Sequence, residues 1–132
     1  MGKITWEKVQ KYLDRSFLTE RGNDGMVKIT FVYTDDNDRT QLVLIDHEQQ
    51  ETRLVVEIVS RIGQIPTSSL PEALEYVGKK YFVGIEKVGD NYYARISVDM
   101  NYTPLEALDS IIRLVSLTAD TLEKELVSGD EN

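Results

Sequence analysis

Three consecutive stretches of period-two hydrophobicity, joined by short polar turns, constrain this chain more than any other feature. Val27, Ile29, Phe31 and Tyr33 alternate with Lys28, Thr30 and Val32. From Thr40 to His47, Leu42 and Leu44 fall on one side and Val43 and Ile45 on the other. From Thr52 to Ile62, Leu54, Val56 and Ile58 share one face and Val55 and Val59 the other. Successive side chains of a strand point to opposite faces, so this alternation predicts strands. The connections Asp35-Asp36-Asn37-Asp38 and Glu48-Gln49-Gln50-Glu51 are too short for a crossover helix. They predict hairpins and an antiparallel sheet. Two later segments, Tyr81–Val88 and Tyr92–Met100, flank the turn Gly89-Asp90-Asn91 and bring the expected strands to five.

Three helices frame these strands. Trp6, Val9, Leu13 and Phe17 form one stripe over Thr5–Phe17, with Thr5 placed to cap and Glu7 in the first turn. Ser69-Leu70-Pro71-Glu72 has capping-box form and opens a short helix that Gly78 ends. Thr103-Pro104-Leu105-Glu106 has the same form, and Leu105, Leu108, Ile112, Val115, Ala119, Leu122 and Leu126 then step by three and four. That stripe predicts a final helix of about 24 residues, roughly 36 Å long. The order is α-β-β-β-α-β-β-α. It predicts an α+β fold in which the first and last helices share one face of an antiparallel sheet. No linker or repeat divides the 132 residues, so residues 1–132 read as a single domain. Residues 128–132 read as a frayed tail.

Composition and motifs exclude more chemistry than they suggest. Without cysteine there is no disulfide framework, thiolate metal site or cysteine nucleophile. A net charge of −8 argues against a nucleic-acid partner, which would be repelled. No apolar run approaches the ~20 residues of a membrane span, and the N-terminus lacks a signal-peptide stretch, so a cytoplasmic protein is expected. His47 is the only histidine, and at a strand end it reads as an ordinary polar residue. Asp35-Asp36-Asn37-Asp38 lacks the glycine and glutamate of a calcium loop and reads as a solvated turn. No phosphate loop or nucleophile elbow is present. No cofactor is expected, and the chain is not expected to be an enzyme.

The second and third strands are apolar on both faces, and such strands need cover on both sides. The middle helix, a second subunit or a bound partner are the candidates. Val43, Ile45, Val55 and Val59 are the residues expected on the partner-binding or dimer surface. A rival reading puts a small-molecule pocket between the sheet and the final helix, with Tyr92, Tyr93 and Arg95 supplying polar contacts.

The Pro66–Lys80 segment, the Tyr81–Met100 hairpin and the Thr103-Pro104-Leu105-Glu106 opening of a long last helix carry a resemblance. With the element order, they resemble the type III secretion chaperone-like fold, and more narrowly the YbjN family of small bacterial proteins described as sensory transduction regulators. The resemblance implies a non-enzymatic homodimer that uses sheet and helix surfaces to hold another polypeptide. It transfers no catalytic residue.

Overall fold

A computed structural model describes residues 3–34, 38–79 and 83–127. The elements are α1 (Trp6–Ser16), β1 (Thr19–Arg21), β2 (Val27–Tyr33), β3 (Arg39–Gln49), β4 (Leu54–Gly63), α2 (Leu70–Gly78), β5 (Gly84–Val88), β6 (Asn91–Asp99) and α3 (Ala107–Leu126). The fold is α+β, with one antiparallel sheet in the order β1-β2-β3-β4-β6-β5. Among the described residues there are six strands, one more than the sequence reading counted. The addition is β1, only three residues long, which pairs Thr19–Arg21 with Val27–Ile29. A segment so short shows no alternation from which to read a strand. It is held from α1, because Asp14 accepts hydrogen bonds from Thr19 Oγ1 (2.6 Å) and Arg21 Nη2 (2.8 Å). The turn into β2 is also tied to α1. Gln10 Nε2 donates to the Gly25 carbonyl at 2.8 Å. Gly25 has φ +80°, a conformation that strains other residues, and a Cβ there would lie 2.9 Å from that same nitrogen and push the Gln10 side chain aside.

All three helices pack on one face of the sheet. Val9 and Leu13 of α1, Ala73 and Val77 of α2, and Leu108, Ile112, Val115, Ala119, Leu122 and Leu126 of α3 are buried. They join the odd positions of β2 and β3 (Val27, Ile29, Val43, Ile45) and the even positions of β4 and β6 (Leu54, Val56, Ile58, Ala94, Ile96, Val98) in one core. Trp6 of α1 stacks on His47 of β3 with centroids 4.4 Å apart and planes 11° from parallel. Phe17 meets Phe31 edge-on at 5.9 Å.

Two helix starts differ from expectation. Thr5 caps α1 by accepting from the Lys8 amide at 3.2 Å, as its position predicts. α3, however, begins at Ala107 and makes no side-chain cap, while Pro104 and Leu105 accept turn bonds from the Ala107 and Leu108 amides. α3 is therefore 20 residues long, shorter than the stripe suggested. Ser69 makes no side-chain cap either, because a 3-10 turn over Thr67–Ser69 feeds directly into α2. A hydroxyl cap requires extended backbone at the cap residue, and Ser69 is already helical there. The tail at 128–132 lies outside the described residues.

The packing separates two valines that look alike in sequence. Val43 is fully buried under the helices, whereas Val59 lies half-buried on the opposite face. Val43→Asp places an unpaired carboxylate in the core and is expected to cost more than about 4 kcal/mol, abolishing the folded signal. Val59→Asp loses only strand propensity, about 1 kcal/mol. Urea denaturation followed by circular dichroism should give these two outcomes.

Candidate interaction face

The sheet face away from the helices has no element of the described chain across it. Its strands carry Lys28, Thr30 and Val32 from β2, Thr40, Leu42, Leu44, Asp46 and Glu48 from β3, Val55, Glu57, Val59 and Arg61 from β4, and Tyr93, Arg95, Ser97 and Asp99 from β6. Across the strands, Lys28, Leu44, Val59 and Arg95 form one row. Leu42 and Val32 are 45% and 55% exposed, and Leu44, Val55, Val59 and Tyr93 are half-buried. Arg95 bridges Glu57 (3.3 Å) and Glu86 (3.1 Å) beside the apolar centre. Asp46, Glu48, Glu57 and Asp99 make the end nearest the β3–β4 turn acidic.

This placement corrects half of the expected surface. Val55 and Val59 lie on the open face. Val43 and Ile45 do not, since both are fully buried under the helices. The register pairs Leu44 with Val59 and Ile45 with Ile58, so Leu42 and Leu44 accompany Val55 and Val59. The turn falls at Gln50–Arg53, where the Gln50 amide donates to the Arg53 carbonyl at 2.8 Å. That position sets which parities match. A signal for this was present in the sequence. Leu44 is followed at the same parity by Asp46 and Glu48, and Val59 is bracketed by Glu57 and Arg61, as a solvated face requires. The middle helix does not cover the face, because α2 packs against β5 and α3 on the helical side.

The three polar residues expected in the rival pocket do not come together, although a cavity of about 400 Å³ lies between β6 and the start of α3, lined by Ile96, Val98, Ala107 and Ile111 among others. Tyr92 points to the helical side while Tyr93 and Arg95 point to the open face. Ser60 does not face His47. Ser60 pairs with Val43, His47 with Val56, and the Ser60 hydroxyl donates to the Leu42 carbonyl at 2.7 Å. Residues 35–37 of the acidic turn lie outside the described residues. Among the described residues, no three His, Cys, Asp or Glu side chains are grouped to hold a metal ion. No described helix is long and apolar enough to cross a membrane.

One feature of the face escaped sequence reading. β3–β4 pairing runs from Gln49↔Leu54 only to Val43↔Ser60, although both strands continue. β3 stays with β2 as far as Arg39, and β4 stays with β6 as far as Gly63 across a bulge. The sheet therefore splits at this end. Side chains replace the lost ladder, with Gln41 Nε2 donating to the Arg61 carbonyl (2.5 Å) and to Ser60 Oγ (2.9 Å). A groove of about 350 Å³ occupies the split, lined by Leu42, Leu44, Val59, Arg61, Tyr93 and Glu123 among others. Glu123 and its neighbour Asp120 on α3 are bound by Arg39, each at 3.1 Å. Alongside, Tyr33 Oη and Ser116 Oγ lie 2.6 Å apart.

A scan against protein-family models finds no match, and no curated protein matches the chain.

Burial pushes the Glu123 carboxyl above its usual range of about 4.5, with Arg39 pulling the other way and Asp120 adding to the rise. A carboxyl whose folded pKa is raised holds its proton more tightly in the folded chain than in the unfolded one. Its contribution is fully present below the unfolded pKa and is lost as pH rises through the folded value. Glu123→Gln is therefore expected to raise the melting temperature at pH 7. The gain should shrink to nothing as pH falls below about 4.5, in a pH series of thermal melts.

Proposed function

We propose that this chain is a non-enzymatic protein-binding module, chaperone-like or regulatory, that works in the cytoplasm as a homodimer and holds a partner polypeptide on its open sheet face. The observation that carries the reading is the one-sided arrangement of the helices. A six-stranded sheet has every helix on one side, and the other side keeps Leu42, Leu44, Val59 and Tyr93 at its centre. An apolar centre with a charged rim is the anatomy of a protein interface. The face measures roughly 20 Å by 30 Å at ordinary strand spacing and rise. That approaches the ~800 Å² per partner of a standard interface. The element order, apart from the added β1, supports kinship with the YbjN-like and type III secretion chaperone-like proteins.

The double variant Leu42→Asp/Val59→Asp is expected to keep its circular dichroism spectrum and lose partner capture in pull-downs from the native cell. Capture at the wild-type level by the folded variant would overturn the reading. Light scattering on the wild type should return twice the 15.1 kDa chain mass.

A further inference from the structure

The split between β3 and β4 is lined in a way that specifies what a partner inserts. This inference rests on the protein-binding reading of the open face. Gln41 is 4% exposed, and its amide nitrogen is already committed to Arg61 and Ser60. Its Oε1 is buried and accepts no hydrogen bond among the described residues. A buried carbonyl oxygen without a donor is costly, so a donor arriving there is favoured. Glu123, on the floor of the same groove, receives Arg39 at Oε1, while Oε2 takes no hydrogen bond among the described residues. Leu42, Leu44 and Val59 form apolar walls. The Arg61 guanidinium also lines the groove and donates to Asn91 Oδ1 at 2.7 Å, a neutral partner that leaves its charge in place. Two acceptors thus lie at the base of the groove beneath an apolar sleeve: the charged Glu123 and, closed to water, Gln41 Oε1.

We propose that the split is an anchor slot for one arginine side chain of the partner polypeptide, its methylenes lying along Leu42, Leu44 and Val59 and its guanidinium donating to Glu123 and Gln41. Arginine suits the slot because its planar head donates along two directions at once and its stem is apolar. The charge-assisted bond to a part-buried carboxylate is of the stronger kind. A second copy of the chain is the poorer occupant. On this face it would lay the acidic rim of Asp46, Glu48, Glu57 and Asp99 against the same rim of its partner.

The probe is a short capped peptide with arginine between leucines, compared with peptides carrying citrulline or lysine at that position. Citrulline keeps the shape and removes the charge. Binding is read by NMR shifts of the Leu42, Leu44 and Val59 methyls in the full chain. The arginine peptide should bind at least tenfold tighter than the citrulline one. Glu123→Gln should erase that difference, whereas Glu7→Gln on α1, which removes the same charge elsewhere, should leave it intact. Equal binding of arginine and citrulline peptides, both lost in Leu42→Asp/Val59→Asp, would keep the protein-binding face and overturn the slot. Equal loss in the Glu7 and Glu123 variants would reduce the effect to bulk charge and overturn it too. So would a lysine peptide matching arginine, or no arginine-peptide binding at millimolar concentration. A dimer converted to monomer by Leu42→Asp/Val59→Asp would make a second copy the occupant, with the same consequence. Failure of that double variant to alter native-partner capture would instead count against the function itself.

Discussion

The rest of the structure depends on all three helices packing on one side of the sheet. That arrangement buries Val43, Ile45, Ile58 and Ile96 beneath α1 and α3 and forms a single core. It also fixes what the core cannot do. Leu42, Leu44 and Val59 alternate with those residues, so the strands that build the core must present these three on the other side. A strand apolar at both parities cannot satisfy both with one helical layer. The cost of leaving the second face to water is offset only when something else covers it.

The split at the end of the β3–β4 pair follows from a second constraint. β3 remains paired with β2, and β4 with β6, after they have parted from each other. Gln41 and Ser60 then supply the hydrogen bonds that the backbone ladder no longer makes. A polar seam from α3, through Ser116, Asp120 and Glu123, faces Tyr33 and Arg39 beside that opening. Polar groups in such a place stabilise little by themselves and are costly when only partly paired. The burial that raises the Glu123 pKa is a sign of that cost. Locally destabilising polar clusters of this kind are common at binding sites.

Much of this was legible in the sequence, and the gaps have physical causes. β2, β3, β4, β6 and the three helices follow from periodicity, because each buries one face, whereas β5, with no buried residue, was legible from the turn Gly89-Asp90-Asn91 that joins it to β6. β1 was missed because three residues show no period, and it is held by Asp14 rather than by its own pattern. The strand phase was harder to read. Val43 and Ile45 are as apolar as Leu42 and Leu44, so hydrophobicity alone could not say which pair faces the helices. The charges could have decided it, since Asp46 and Glu48 share a parity with Leu42 and Leu44, and Glu57 and Arg61 with Val55 and Val59. The split was invisible, because it depends on where two strands stop pairing. No local signal marks that point, and the glutamine that bridges it looks like any surface glutamine.

The contact between Trp6 and His47 has a practical consequence. The chain has one indole and one imidazole, and they lie face to face where the first helix meets the third strand. Emission from the molecule's sole tryptophan therefore reports on one seam alone. Any event that lifts the amino-terminal helix from its bed, whether heat, denaturant or the arrival of another protein, will register in that signal without a competing fluorophore of the same kind.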